Sequence, residues 1–246
     1  MQTPLLAVTD LWSGYEETPV VRGIDLTIQD GESVVLIGPN GHGKTTFLRT
    51  ISGLIRAKRG EIRFAGRLVT ERSPEELTSG GLIHIPQGDA LFPDLLVEEN
   101  LLMGAYPPPA WRRRHESLER VYKLFPQLQS RAKQPARTLS GGERRQLSIG
   151  RGLMRPAKLL LIDEPSLGLA PVLVDSLYDL IEEIAKSTTT VLLVEENFKH
   201  IRRLAKRVCV LEMGRIVRTG TLDELLNDPV VAESYLGVVR GPRNGR

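Results

Sequence analysis

Only one cysteine, Cys209, occurs in the 246 residues, so no disulfide can form within the chain. It sits in the apolar run 208–211, where a packed, reduced thiol is expected rather than a reactive one. Aromatic residues make up 5% and do not interleave with the arginines of Trp111-Arg112-Arg113-Arg114-His115. That run is therefore expected to be a solvated helix face and not a platform for stacked bases. Charge of one sign is not in excess: the net value is +3, too small to imply a strong field for nucleic acid. Long hydrophobic runs are missing too. The longest, such as 159–162 and 191–194, are strand-sized and fall well short of the ~18 residues of a spanning helix, so the chain is not expected to cross a membrane by itself. No basic segment followed by an apolar stretch and a small-residue cleavage site marks the start, and no internal repeat interrupts the rest.

What remains is the balance of an ordinary globular protein, 41% hydrophobic and 26% charged. The N-terminal third patterns as strands joined by tight turns. A lead-in strand covers 5–11, and 24–28 and 33–37 flank Asp30-Gly31, a hairpin signal because glycine tolerates positive φ. The run Val34-Val35-Leu36-Ile37 suits a strand buried on both faces. Between 88 and 152, helical spacing dominates (98–104, 112–125 and 143–154), broken by Pro107-Pro108-Pro109. Strand–helix alternation returns with 159–163, a helix near 172–187 and a strand at 190–194, which argues for a largely parallel sheet. A closing hairpin around Met213-Gly214 and a last helix capped by Thr221 and Glu224 follow. The tail 240–246 is expected to be a frayed, solvated end.

Gly38-Pro39-Asn40-Gly41-His42-Gly43-Lys44-Thr45, followed by Thr46, fits G-x-x-x-x-G-K-[ST] between a buried strand and an apolar helix pattern, the context the motif needs. Its glycines let backbone N–H groups converge on phosphate, and the helix N-terminus adds about half a positive charge. Lys44 is expected to reach the β- and γ-phosphates, and Thr45 to place its hydroxyl on Mg2+. Further on, Leu159-Leu160-Leu161-Ile162 ends in Asp163-Glu164. Asp163 suits Mg2+ held through water, and Glu164 suits polarisation of an attacking water.

Leu139-Ser140-Gly141-Gly142-Glu143 opens another helix, and Ser140 with Glu143 has the spacing of a capping box. The two glycines also expose N–H groups at a helix start, a second anion site. One γ-phosphate has no need of two complete cradles from one chain. A head-to-tail dimer, with ATP between Gly38–Thr45 of one copy and Ser140–Glu143 of the other, resolves the duplication.

In this order and spacing, the phosphate loop, Leu-Ser-Gly-Gly-Glu and Leu-Leu-Leu-Ile-Asp-Glu-Pro resemble the ATP-binding cassette family over residues 5–236. The resemblance implies an α/β fold, a P-loop NTPase core with an antiparallel β subdomain and an inserted helical subdomain. It implies a single domain over 1–246, with 1–87 and 153–246 as core and 88–152 as the helical insertion. It further implies that Tyr15 stacks on adenine. Gln87 is implied to sense Mg2+ and γ-phosphate while touching a transport subunit.

Ile85-Pro86-Gln87-Gly88-Asp89-Ala90-Leu91-Phe92-Pro93 and Glu164-Pro165-Ser166-Leu167-Gly168-Leu169-Ala170-Pro171 are similar to the ATPases of branched-chain amino acid importers. Ala170 stands where most cassettes have aspartate, as in that branch, whose relatives are implied to handle urea or short amides as well. The implied partners are integral-membrane permease subunits, a second ATPase subunit (self or a related paralogue) and a periplasmic or extracellular solute-binding protein, with no nucleic acid. The implied place is the cytoplasmic face of the cell membrane, and the implied ligands are ATP and Mg2+. One departure stands out: Glu196 occupies the position where most cassettes carry a histidine against γ-phosphate. An ionised glutamate there must point away, be neutralised or slow turnover, and His200 is a candidate substitute. Three rival readings stay open. A nucleic-acid-directed ATPase is opposed by the short 88–138 separation of the two cradles. A regulatory module with little turnover and an exporter are the others.

Overall fold

In the computed structural model, which describes residues 3–106, 108–187, 189–196 and 201–228, the chain forms two sheets and a set of helices around them. The first sheet is antiparallel and holds β1 (Leu6–Ser13), β2 (Val21–Ile28), β4 (Ala57–Phe64) and β5 (Arg67–Leu68) in the order β2-β1-β4-β5. The second has the order β10-β9-β3-β8-β7-β6, from β3 (Ser33–Ile37), β6 (Leu82–Ile85), β7 (Leu159–Asp163), β8 (Thr190–Glu195), β9 (Arg207–Glu212) and β10 (Arg215–Gly220). Its strands run parallel from β9 through β6, and β10 pairs antiparallel with β9.

Continuous apolar strands need both faces covered, and the second sheet is the middle layer of the molecule. Val34, Leu36, Leu159, Leu161, Leu192 and Val194 pack toward the first sheet and Phe47 and Leu48 of α1 (Lys44–Ile51). Their alternate neighbours Val35, Ile37, Leu160, Ile162, Val191 and Leu193 pack toward the other helices. On that side lie α3 (Val97–Gly104), α4 (Pro108–Arg112), α5 (Arg114–Leu124), α6 (Pro126–Ser130), α7 (Gly141–Gly152) and α8 (Pro171–Lys186). Leu101, Val121, Leu128 and Leu147 of these helices share one apolar cluster with the sheet. Cys209 is buried on the first-sheet side, where burial pushes its thiol up and Thr219 donates to its sulfur at 3.6 Å.

The expected hairpin around Asp30-Gly31 does not form. Gly31 does turn the chain at φ 72, but β2 pairs with β1 while β3 pairs with β8 and β9. The reason is in the burial: every residue of β3 is enclosed, whereas β2 alternates and keeps one face toward solvent, so each suits a different layer. A short helix, α2 (Pro74–Ser79), also interrupts the N-terminal strands, capped reciprocally by Ser73 and Glu76. The hairpin at Met213-Gly214 and the cap of α9 (Leu222–Asn227) by Thr221 and Glu224 form as expected. Arg112 and Arg113 are exposed, and the Arg114 guanidinium lies 4.6 Å from the centre of the Trp111 ring. Asn197, His200 and the tail 240–246 lie outside the described residues. Among those described, no helix is long and apolar enough to cross a membrane.

Candidate active site

The carboxyl ends of β3, β6, β7 and β8 open on one side of the parallel sheet, where ligands of such sheets bind. The loop after β3 winds into α1 through Gly43, which caps the helix at φ 105, a backbone conformation that favours glycine. At Gly38 a Cβ would stand 2.2 Å from the Leu211 carbonyl oxygen, so the loop start passes β9 too closely for any side chain. His42 ties the loop to the β9–β10 turn, its Nδ1 accepting from the Met213 N–H at 3.3 Å and its carbonyl from the Gly214 N–H at 3.0 Å.

A cavity of about 270 Å3 lies over this loop, lined by Asn40, Gly41, Lys44, Thr46, Gln87 and Glu164 among others. Lys44 is 3% exposed and donates to the carbonyls of Gly38 at 2.8 Å and Pro39 at 3.2 Å. Its ammonium also lies 3.3 Å from Oε1 of Glu164, whose Oε2 accepts from Gln87 Nε2 at 2.9 Å. Glu164 reaches this position through a left-handed backbone, φ 42, a strain of about 1–3 kcal/mol held by its N–H bond to Val194 at 3.0 Å. Sequence distance vanishes here. Loops from three strands meet on one carboxylate.

Thr45 Oγ1 donates to Asp163 Oδ1 at 3.2 Å, while Asp163 Oδ2 is buried with no hydrogen-bond partner. Burial raises the Asp163 carboxyl to about 6 against the opposing pull of the Thr45 bond. A hydroxyl beside a carboxylate with an orphaned oxygen is a hard-oxygen donor set that fits Mg2+.

Tyr15 does not line the cavity; it is 51% exposed, and its hydroxyl accepts from Arg49 of α1 at 3.0 Å. The Ser140–Glu143 segment is elsewhere as well. Ser140 caps α7, its Oγ accepting from the Glu143 N–H at 3.3 Å while Glu143 Oε2 accepts from the Ser140 N–H at 2.9 Å. Gly141 has open space where a side chain would project, with Arg144 the nearest group at 3.9 Å. A second, larger groove of about 470 Å3, lined by Leu54, Ile83, Phe92, Met103 and Arg151, lies beside β6 and is mostly apolar. The smaller cavity is the one on which Lys44, Gln87 and Glu164 converge.

Two residues that the sequence motifs did not single out bear on this site. Glu195, at the end of β8, is 2% exposed and accepts from the Ser166 N–H at 3.2 Å, whereas Glu196 beside it is exposed. Arg145 is 3% exposed and reaches the backbone around both Gln87 and Glu164. Burial lowers its pKa against the opposing fields of Asp89, Glu195 and Asp163. The spacing Gly142, Arg145, Ile149 along the buried side of α7 is the signal that could have found it.

A family model described as ABC transporter matches residues 21–167. The High-affinity branched-chain amino acid transport ATP-binding protein BraG of Pseudomonas aeruginosa is 40% identical over 223 residues, covering 91% of this chain and 95% of that protein. The Probable branched-chain amino acid transport ATP-binding protein LivF of Archaeoglobus fulgidus is 32% identical, covering 96% of this chain and all of that one. Among solved structures, the ADP conformation of an ATP-binding cassette of an ABC transporter superposes with a TM-score of 0.82 at 27% identity, over 96% of this chain and 100% of that one.

Proposed function

Because this chain belongs to the ABC transporter family, as an ATP-binding subunit that hydrolyses ATP to energise transport, we propose that it drives import of branched-chain or other hydrophobic amino acids. Its working unit is a head-to-tail ATPase pair, of two identical chains or of this chain and a related one. The pair sits on the cytoplasmic face of the membrane with permease subunits and a solute-binding protein. Residues 1–87 and 153–246 form the nucleotide-binding core, and 88–152 form the helical subdomain that faces the permease.

One observation carries the mechanism: Lys44, Gln87 and Glu164 converge over the phosphate loop. The backbone N–H groups within residues 38–46, Pro39 excepted, and the Lys44 ammonium bind the phosphates of ATP. Glu164 polarises the attacking water, and Gln87 orients that carboxylate. Thr45 and Asp163, with Gln87, would hold Mg2+, which would supply charge neutralisation for the phosphates. Tyr15 stacks on adenine, supported by its exposed ring beside α1. Ser140, Gly141, Gly142 and Glu143 close the site from the other chain. Their absence from the cavity lining within one chain supports this reading, as does the open space at Gly141. Transfer of the cargo to this chain rests on the names of its relatives, the BraG and LivF proteins.

The experiment uses the Glu164→Gln chain with MgATP. Mass doubling by light scattering is expected, and Gly141→Asp in that background should abolish doubling while the monomer still binds nucleotide. A pair that persists with Gly141→Asp overturns the shared site. For the cargo, cells lacking this chain should lose leucine, isoleucine and valine uptake and regain it on complementation. Unchanged uptake overturns that assignment.

A further inference from the structure

The guanidinium of Arg145 is the most heavily bonded side chain in the described structure, and none of its acceptors is a carboxylate. Nε donates to the carbonyl of Pro165 at 3.0 Å, and Nη2 donates to those of Asp163 and Glu164, each at 3.0 Å. Nη1 donates to the carbonyl of Pro86 at 3.2 Å and to that of Gly88. An arginine has five N–H donors in a rigid planar fork, and here every one is used. The acceptors fall into two groups. Pro86 and Gly88 stand on either side of Gln87, and Asp163, Glu164 and Pro165 surround the base. Gln87 and Glu164 in turn bond to each other across the cavity. The fork itself projects from α7, about 7–8 Å along the helix from its cap at Ser140.

Backbone carbonyls buried beside a charge lose much if the charge leaves, so these two loops are held to α7 at a fixed separation. We propose that Arg145 is a positioning residue for hydrolysis, which sets Gln87 and Glu164 relative to each other and makes both follow α7. The proposal rests on the reading of Glu164 as base and Gln87 as its orienting partner. It adds a consequence for the pair of chains. Ser140 at the start of α7 closes the partner's site, so engagement there is passed to the chain's own base through this fork, while Arg144 gives the Gln87 loop a second tie to α7 through Asp89 at 2.9 Å.

Two substitutions separate positioning from plain support. Arg145→Lys keeps the charge and most of the packing, but a lysine has a single ammonium and cannot span both loops. Arg145→Gln removes the charge and reaches one loop at most. Nucleotide affinity, measured by fluorescence titration, and KM should stay within about 2-fold of wild type in both. The turnover number should fall about 10-fold in Arg145→Lys and about 30-fold or more in Arg145→Gln, since loss of alignment by about 1 Å removes factors of this size. ATP-driven mass doubling should persist. Full turnover in Arg145→Lys overturns the proposal, because charge alone then suffices. Affinity that drops in step with turnover also overturns it, because the role is then support of the whole site.

Should neither variant fold, hydrogen exchange on the wild-type chain decides. Peptides covering 85–89, 141–152 and 163–166 should gain protection together on ATP addition, and independent responses overturn the linkage. A wild-type chain that never doubles in mass points instead to failure of the head-to-tail reading, and leaves the Arg145 turnover data to be judged separately.

Discussion

Strands β7 and β8 lie side by side in parallel, paired from Leu159 with Thr190 to Asp163 with Val194, and each runs from apolar residues into two adjacent carboxylic acids. Their fates diverge. At the end of β7, Asp163 meets the Thr45 hydroxyl and Glu164 turns through φ 42 to face Lys44 and Gln87. At the end of β8, Glu195 stays enclosed and holds the Ser166 N–H, while Glu196 emerges into solvent. Two near-identical chemical endings thus make the proposed catalytic pair on one strand, and a brace with an exposed neighbour on the other. The backbone step after the strand decides which acid reaches the cavity, and residue type alone does not.

The sharpest way to break this contrast is Glu164→Gln. Hydrolysis should fall about 1,000-fold, equivalent to ~4 kcal/mol of barrier, because general base catalysis is lost. Nucleotide binding should hold or tighten, since the substitution also releases Lys44 from its buried partner. Single-turnover phosphate release checks the first outcome and equilibrium titration the second. Loss below 10-fold would move the base elsewhere, with Glu195 the next acid along the sheet.

A second test uses pH. Burial keeps the folded Asp163 carboxyl protonated up to about pH 6, against a reference of 3.8. Between those values the folded chain binds more protons than the unfolded one, so this group's contribution to stability is lost as pH rises. The span is about 3 kcal/mol. His84, buried and held near 4 by burial and by the Arg49 charge, works the other way: its contribution is lost as pH falls from about 6.5. Comparing wild type with Asp163→Asn cancels the histidine. Urea unfolding of both, without divalent cation, should show the variant gaining relative to wild type between pH 4 and 6.

On β8 the effects should be smaller and should divide by burial. Glu195→Ala strands the Ser166 N–H and removes the carboxylate beside the buried Tyr178 hydroxyl, whose pKa is pushed up by burial and then by Glu195. It should lower unfolding free energy by about 1–3 kcal/mol. Glu196→Gln should shift stability by less than ~0.5 kcal/mol and leave ATPase activity unchanged or slightly raised. Complete loss of activity there would make Glu196 a participant and erase the distinction.

How much of this the chain discloses before folding differs by element. The phosphate loop was legible because its glycines, Lys44 and Thr45 are contiguous and their geometry is local. Asp163 and Glu164 were legible from the end of an apolar strand. Glu195 was not, because its enclosure depends on the register that carries β8 past the end of β7. Arg145 hid in an ordinary-looking basic pair, since its acceptors are carbonyl oxygens that every residue possesses. The Asp30-Gly31 signal misled because a tight turn fixes the path of four residues and says nothing of which layer the next strand enters. The uniform burial of β3 was the better guide. For α2, the Ser73 and Glu76 cap was present in the sequence and simply outweighed by its surroundings.

The contact between Lys44 and Glu164 has a further effect on selectivity. An ammonium already neutralised at 3.3 Å by an enclosed carboxylate offers little net attraction to a small monovalent anion such as chloride. Only a ligand that brings several charges and accepts the surrounding backbone N–H groups at once can displace that internal rival. The loop therefore screens its visitors by valence, and small monovalent competitors should inhibit this protein feebly.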